Sequence, residues 1–245
     1  MGKALAPDPE FRPGVHAALL LIPLLLSQLV LQGGGRLAEP YLQQIAVEAH
    51  VRPDAAEVEY LTVLFGLILL CELVILIPSV TWWQIYGVAE FGADTESPKA
   101  LIRHGLRIGV PYALTVYGLM WWTNSNPDFL RYTGMVGHRM PNYLVVAVSL
   151  GSFGALCEEF YFRRALLTIM TSSMPVVVAV GLNTLLFAAW HVHAFGNPAL
   201  MLTILSGGAI YSVLSVKYGS MIPGAICHAL VNTFAVLLNN LELLM

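Results

Sequence analysis

Residues 155–166 read ALCEEFYFRRAL and place two adjacent glutamates, Glu158 and Glu159, inside a stretch that otherwise reads as a membrane-buried helix. A charged side chain at the centre of a bilayer costs about 2.5–3.5 kcal/mol even on the insertion scales that give the smallest penalty. Two apolar stretches downstream each carry a histidine, His191 in FAAWH and His228 in HALVN. Carboxylate and imidazole groups held away from bulk water are suited to proton transfer or metal binding. This combination favours an intramembrane enzyme.

The composition of the 245-residue chain is typical of a membrane protein. Hydrophobic residues make up 57% of the chain and charged residues only 11%, whereas a soluble domain carries about 25% charged residues. The net charge of −3 is too small to indicate a nucleic-acid partner. The three cysteines lie singly in apolar runs, so we interpret them as small hydrophobic residues and not as disulfide partners or metal ligands.

The apolar stretches predict an all-α, polytopic transmembrane bundle of about seven spanning helices, because each span needs about 20 mostly apolar residues. The candidates lie at about 14–32, 58–81, 104–123, 142–170, 175–195, 198–217 and 221–244. A polar, acidic connection separates the first two, and a turn-rich loop separates the third from the fourth. We expect residues 1–245 to form a single integral membrane domain, with a motif-bearing catalytic core at 142–235.

The motif EEFYFR, which begins at Glu158, contains a pair of opposite charges at helical spacing. Glu159 and Arg163 are four residues apart, the spacing of an i,i+4 ion pair. Such a pair would let Glu159 remain ionised at low cost. It would leave Glu158, which points about 100° away around the helix, free for chemistry. The alternative is an interfacial helix end at which both glutamates reach water.

The two histidine motifs each predict a polar group on one helical face. FAAWH places Phe187 and His191 together, and HALVN places His228 and Asn232 together. An amide beside an imidazole can fix its tautomer or help to bind an oxyanion. Each motif also has a structural interpretation, because a lone histidine is often a satisfied core residue and membrane bundles use interhelical hydrogen bonds. The occurrence of all three motifs on consecutive predicted helices favours a shared site.

Glu72, in the middle of the second predicted helix, is a further intramembrane acid. It is either a structural partner for a polar group or part of a proton path, and the sequence does not separate these two interpretations.

The motifs EExxxR, FxxxH and HxxxN, each on a predicted membrane helix and in that order, resemble the CAAX protease and bacteriocin-processing family of intramembrane proteases. That family includes the type II CAAX prenyl endopeptidases. The similar region runs from about 142 to 235. The resemblance implies a polytopic helical protease with catalytic residues Glu158, His191, His228 and Asn232, supported by Glu159 and Arg163.

The residue types leave two reaction schemes open. In the first, Glu158 is the general base that activates a water with the help of His191, while His228 and Asn232 stabilise the oxyanion. In the second, His191, His228 and Glu158 hold a divalent metal such as zinc, although the HExxH motif is absent. The cofactor is therefore a divalent metal or none.

The resemblance also implies a protein substrate with a hydrophobic or lipidated C-terminal segment that enters from the surrounding membrane lipid. A prenylated substrate requires a prenylating host, which the sequence does not establish. Trimming of the C-terminal anchor of exported proteins, in the plasma membrane of a prokaryote, is an equal candidate.

Two other classes of protein remain open. A proton-coupled transporter would use the same acids and histidines as a relay, although the chain lacks the two corresponding halves typical of transporters. A non-catalytic membrane partner or immunity protein is the third class, and the intact motifs argue against it.

Overall fold

The structure, a computed structural model, describes residues 13–48, 63, 66–67, 69–81, 96–123 and 149–238. Within these ranges every regular element is helical and no strand occurs, so the predicted all-α class is confirmed there. The helices are α1 (Pro13–Glu48), α2 (Leu69–Thr81), α3 (Pro98–Trp122), α4 (149–173), α5 (Val176–Trp190), α6 (Pro198–Tyr218) and α7 (Ile222–Leu238). A short 3₁₀ turn, Val192–Ala194, connects α5 to α6.

The starts of α3 and α6 are encoded by local sequence. Ser97 and Asn197 each accept a hydrogen bond from a backbone N–H of the first turn, and each is followed by a proline. A polar N-cap before a proline is a common helix start, because the proline lacks an N–H that would otherwise be unpaired. Helix α6 ends at Gly219, whose φ of 62° is the left-handed conformation that terminates many helices.

Helix α4 departs from regular α-helical geometry on both sides of the glutamate pair. It runs through a π-helical segment (Ser149–Gly154), an α-helical segment (Ala155–Glu159), a second π-helical segment (Phe160–Leu167) and a final α-helical segment (Thr168–Ser173). π-Helical turns are rare and frequently lie at functional sites. The change of helical pitch follows directly after Glu159, so the side chains beyond it do not keep the expected 3.6-residue period.

Helices α3 and α7 approach each other closely through two glycines of α3. A Cβ atom on Gly105 would lie 2.7 Å from the Cβ of Ile226, and one on Gly109 would lie 2.8 Å from the Cα of Cys227. Small residues allow this kind of approach between membrane helices. The approach fixes the position of the part of α7 that carries His228.

The surface of the bundle is more apolar than that of a typical soluble protein, and its largely hydrophobic core also contains charged and polar side chains. Its interior holds charged and polar side chains, among them Glu158, Glu159, Arg163 and Asn183. Its exterior presents large apolar side chains, including Leu19, Ile22, Leu25 and Leu29 of α1 and Val176, Val177, Leu182 and Leu185 of α5. An apolar surface of this extent is unfavourable in water and favourable in hydrocarbon. Such outer faces, on α1 and α5, are typical of helices that contact lipid.

Two of the helices are long and apolar enough to cross a membrane by themselves, Ala18–Ile45 and Pro198–Tyr218. Three further apolar helices are shorter over the residues that the structure describes: Leu69–Thr81, Val176–Trp190 and Ile222–Ala235. The predicted number of seven spans is therefore not established by these helix lengths.

The first helix differs from its prediction. The sequence predicts a helix at about 14–32 that is followed by a polar connection. In the structure α1 continues to Glu48. Extension of an existing helix adds one hydrogen bond per residue and needs no new nucleus, and Gln43 donates to Glu39 one turn earlier at 3.3 Å. The remainder of that predicted connection, and the loop predicted before 142, lie outside the described ranges.

Candidate active site

Three side chains meet at one point inside the bundle, from α4, from the residue directly after α5 and from α7. The Oε2 atom of Glu158 on α4 lies 3.7 Å from Nε2 of His191, at the end of α5, and 3.9 Å from Nε2 of His228 on α7. Glu158 is only 7% exposed and His228 only 4%. The structure thus brings together three of the four residues that the sequence assigns to one site.

The expected ion pair between Glu159 and Arg163 is present. Arg163 Nη1 lies 3.0 Å from Glu159 Oε1, and both side chains are fully buried. The contact is electrostatic and is not an aligned hydrogen bond, because Nη1 finds no acceptor in a suitable direction. Nη2 donates to the carbonyl of Gly208 at 3.1 Å, and the guanidinium lies 4.4 Å from the ring centroid of Phe187. Desolvated cation–π contacts of this kind add to the stability of a buried arginine.

Glu159 also contacts the second histidine, which the sequence did not predict. Its Oε1 atom lies 3.0 Å from Nδ1 of His228, so one carboxylate oxygen faces both Arg163 and His228. A carboxylate at Nδ1 fixes the ring orientation of a histidine and the position of its proton. Glu159 is therefore a positioning residue for His228 as well as the partner of Arg163.

Both histidines direct the same ring nitrogen toward Glu158. Nδ1 of His191 lies 2.8 Å from the carbonyl oxygen of Phe187, and a carbonyl only accepts, so Nδ1–H is the donor. The same argument assigns the Nδ1 proton of His228 to its bond with Glu159. In the neutral imidazoles, each Nε2 then carries a lone pair that faces Glu158. In these tautomers three acceptor atoms converge, Glu158 Oε2 and the two Nε2 atoms. Glu158 Oε2 is buried without a hydrogen-bond donor among the described residues.

His191 does not lie within a helix, contrary to the prediction of a span over 175–195. Helix α5 ends at Trp190, and His191 has non-helical dihedral angles, φ −86° and ψ 54°. Its side chain bonds the carbonyl of Phe187, one of the last four carbonyls of α5 that have no partner within the helix. The four-residue spacing in FAAWH therefore reflects capping of the helix by the histidine itself.

Aromatic rings from α5 and α6 enclose the two imidazoles. The ring of Tyr211 stacks on that of His228 with 4.8 Å between centroids, and Phe187 packs edge-on against His228 at 5.7 Å. Phe187 also contacts His191 at 4.6 Å. Tyr211 lies outside the three motifs. Its position one turn after the small residues Gly207 and Gly208 was the only feature of the sequence that could have indicated its place at the site.

The N-terminal helix holds the residue that precedes His191. Gln28 donates to the carbonyl of Trp190 at 2.6 Å, and the indole N–H of Trp190 donates to the hydroxyl of Ser27 at 2.8 Å. The rings of Trp190 and His191 are 5.0 Å apart. The sequence analysis did not predict that α1 contributes to the site. The adjacent polar residues Ser27 and Gln28 within an apolar run were the feature that could have indicated it.

Two further polar residues have positions that leave their roles open. Asn232 is half-buried on α7, and within the described residues no hydrogen bond or ion pair joins it to the other three predicted catalytic residues. Glu72 on α2 is buried, and its Oε2 finds no hydrogen-bond donor in the described part of the chain. Glu72 approaches α4 near Gly154, where an added Cβ would lie 3.4 Å from Oε1.

The candidate metal-ligand atoms of Glu158, His191 and His228 are spaced more widely than the ligands of a zinc ion. Two imidazole nitrogens and a carboxylate suit zinc chemically, but tetrahedral bonds of about 2.0–2.1 Å hold the ligand atoms about 3.3 Å apart. The separations from Glu158 to His191 and His228 are wider, 3.7 and 3.9 Å. Among the residues that the structure describes, no group of three or more His, Cys, Asp or Glu side chains is arranged to hold a metal ion. The side chains as they stand therefore do not fit a resident metal.

An apolar exterior around a buried cluster of carboxylates and histidines is typical of an integral membrane protein with an internal site. The family model described as type II CAAX prenyl endopeptidase Rce1-like matches residues 140–234, which contain all three motifs. This segment is similar to that family, which supports the resemblance found in the sequence. Neither a curated protein nor a solved structure matches the chain.

Proposed function

We propose that the protein is an intramembrane endopeptidase that hydrolyses a peptide bond near the C-terminal hydrophobic or lipidated segment of a protein substrate. The observation that carries the proposal is the convergence of Glu158 Oε2 with the Nε2 atoms of His191 and His228 in a buried site. The family match supports peptide hydrolysis as the reaction class.

The separations within this cluster suit a bridging water. Direct hydrogen bonds to nitrogen span about 2.7–3.2 Å, which is shorter than the 3.7 and 3.9 Å found here. A water between Glu158 Oε2 and the two Nε2 atoms donates one hydrogen to Glu158 and the other to His191, and its oxygen lone pair is then available to a substrate carbonyl. Burial keeps competing water away from Glu158.

The proposed reaction begins when the water oxygen bonds to the carbonyl carbon while Glu158 accepts a proton from the water. The carbonyl oxygen becomes an oxyanion, which His228 and the amide of Asn232 stabilise. For this role Nε2 of His228 must carry a proton in the reacting form, in addition to the proton on Nδ1. The carboxylate of Glu159, beside Nδ1, offsets the positive charge on His228. Glu158 then gives its proton to the leaving nitrogen as the C–N bond breaks, which yields a carboxylic acid and an amine.

We extend the proposal to the whole chain as a bundle of about seven spanning helices in the plasma membrane of a prokaryote. The outward apolar side chains of α1 and α5 support membrane insertion, and a buried site is reached most directly by a substrate segment that already lies in lipid. The substrate is then either prenylated or an unlipidated hydrophobic tail.

Two reporters test this function in vesicles that contain the purified protein. They share one C-terminal hydrophobic tail, and one of them carries a farnesyl group on a C-terminal cysteine. We expect mass spectrometry to detect a new C-terminus in at least one reporter with the wild type and with Gln43→Ala, an exposed control on α1. His191→Ala should give no product. Equal product with His191→Ala, or no product from either reporter with the folded wild type, would contradict the proposal.

Chelation separates the water scheme from the metal scheme. Because the donor atoms do not fit a resident metal, we expect cleavage to survive treatment with 1,10-phenanthroline. Loss of cleavage that added zinc restores would instead support the metal scheme.

One observation favours a second candidate function, a proton-coupled transporter. Glu72 and Glu158 are buried carboxylates on α2 and α4, which approach each other near Gly154, and intramembrane acids of this kind form proton relays. Proton flux into vesicles that Glu72→Gln abolishes, together with no cleavage by the wild type, would favour transport. Cleavage without such flux would favour the peptidase.

A further inference from the structure

The outer face of α3 carries a regular series of basic side chains at its N-terminal end. Lys99, Arg103 and Arg107 recur every four residues, and all three are exposed. Neighbouring members are about 6 Å apart along the helix axis, so the series is about 12 Å long. Within the described part of the chain, none of the three has an ion-pair or hydrogen-bond partner. We call these three residues the basic surface.

The same face of α3 changes from basic to apolar directly after Arg107. Val110, Leu114 and Trp121 continue the outward face at spacings of three, four and seven residues, and they are 38%, 52% and 71% exposed. Lysine and arginine concentrate at the membrane–water boundary and apolar side chains in the hydrocarbon. The change between Arg107 and Val110 therefore marks one edge of the hydrocarbon layer.

Among the residues that the structure describes, the groups beside the basic surface do not neutralise it. Glu96 is already engaged by His104, with 2.8 Å between Oε2 and Nε2. The ring of His104 stacks on Tyr218 at the end of α6, with centroids 4.4 Å apart. Lys217 lies 5.2 Å from the ring of Tyr218 and adds another cation at this end of the bundle.

We propose that Lys99, Arg103 and Arg107 form a binding surface for the headgroups of anionic phospholipids. Phosphate oxygens are strong acceptors for lysine and arginine, and basic residues beside a span attract anionic lipid. The repeat along the outer face of α3 presents these cations to lipid headgroups in series. The proposal rests on membrane insertion of α3 and not on peptidase activity.

The basic surface also fixes the level of the candidate site in the membrane. Gly109 lies two residues beyond Arg107 and packs against Cys227, which precedes His228. His228 therefore lies near the level at which the outer face of α3 becomes apolar. If the proposed peptidase function holds, the bond that is cleaved lies close to the headgroup boundary of the leaflet bound by the basic surface.

Lipid retention tests the proposal without any substrate. The purified protein is moved from nanodiscs with equal phosphatidylglycerol and phosphatidylcholine into detergent, and native mass spectrometry measures the ratio of the two retained lipids. We expect enrichment of phosphatidylglycerol by the wild type and an approximately fivefold lower enrichment with Arg103→Gln, the effect of one basic residue near a membrane surface. The triple variant Lys99→Gln, Arg103→Gln, Arg107→Gln should lose the enrichment.

Arg36→Gln is the matched control, because Arg36 is also an exposed cation but lies on α1. It should retain the wild-type enrichment, and high salt should reduce the wild-type value. Wild-type enrichment by the triple variant, or an equal loss with Arg36→Gln, would overturn the proposal. Since the readout contains no cleavage step, its failure is distinguishable from failure of the proposed peptidase function.

Discussion

At the scale of single residues, the candidate site divides two adjacent carboxylates between two tasks. Glu159 faces Arg163 and His228, each at 3.0 Å, and is fully buried. Glu158 faces two imidazole nitrogens at distances too long for direct hydrogen bonds. Glu159 is therefore placed to stabilise Arg163 and to orient His228. Glu158 is available to activate a water.

Glu159→Ala is expected to destabilise the protein, because it leaves the buried guanidinium of Arg163 without its ionic partner. Removal of one member of a buried ion pair costs about 3–5 kcal/mol. Lower abundance in membranes by immunoblot and a lower unfolding temperature in detergent would show this effect.

The paired replacement Glu159→Leu with Arg163→Met is the control for this prediction. It removes both charges together, so we expect abundance to recover. Cleavage should stay low, because His228 no longer has an acceptor for its Nδ1 proton. Normal abundance of Glu159→Ala alone would show that the ion pair contributes nothing to folding.

At the scale of helices, the proposed catalytic groups depend on irregular helix ends and on one distant helix. The pitch of α4 changes after Glu159, and α5 stops at Trp190 so that His191 caps it. Helix α1 then fixes Trp190 through Ser27 and Gln28. The position of His191 therefore depends on a helix outside the segment matched by the family.

Gln28→Glu tests the contact of α1 with the turn that carries His191. The glutamate keeps the side-chain length, but an ionised carboxylate cannot donate to the carbonyl of Trp190. One such hydrogen bond contributes about 0.5–1.5 kcal/mol, so we expect kcat to fall about 2–10-fold with little change in KM.

The control for Gln28→Glu is Gln43→Glu, an exposed position on the same helix. Gln28→Asn, which keeps a donor on a shorter side chain, should restore part of kcat. An unchanged kcat for Gln28→Glu, or an equal loss with Gln43→Glu, would show that α1 does not position His191.

Gly109→Ala tests the close approach of α3 to α7. The new Cβ would lie 2.8 Å from the Cα of Cys227, a backbone atom that cannot rotate away. Overpacking of this kind costs about 1–3 kcal/mol, so the unfolding temperature should fall.

Gly118→Ala on the same helix is the matched control, because nothing lies within 4 Å of its added Cβ. Alanine is a better helix former than glycine by about 1 kcal/mol, so this variant should be as stable as the wild type or more so. Equal stability of the two variants would show that the approach of α3 to α7 is not tight.

At the scale of the whole molecule, the sequence predicts the features that depend on local helical period. The helical class and the pair Glu159–Arg163 follow from apolar run length and from four-residue spacing. Both are present in the described structure. The convergence of Glu158, His191 and His228 follows from the high cost of leaving polar groups unpaired in lipid.

Other features depend on tertiary contacts that no local pattern encodes. The hydrogen bond from Trp190 to Ser27 joins residues 163 positions apart. The π-helical segments of α4 violate the 3.6-residue period on which helix prediction depends, and Asn183 of α5 donates to the carbonyl of Phe162 within one of them at 2.8 Å. The capping position of His191 could not be predicted, because FAAWH has the same spacing in a continuous helix.

The most direct test of the proposed mechanism is the cleavage rate of Glu158→Gln relative to the wild type at equal abundance in vesicles. Glutamine keeps the shape of the side chain and cannot accept the proton of the water, so we expect the rate to fall by about 10²–10⁴-fold. Glu39→Gln, an exposed replacement of the same kind on α1, should cleave at the wild-type rate. Wild-type cleavage by Glu158→Gln would contradict the assignment of Glu158 as the general base.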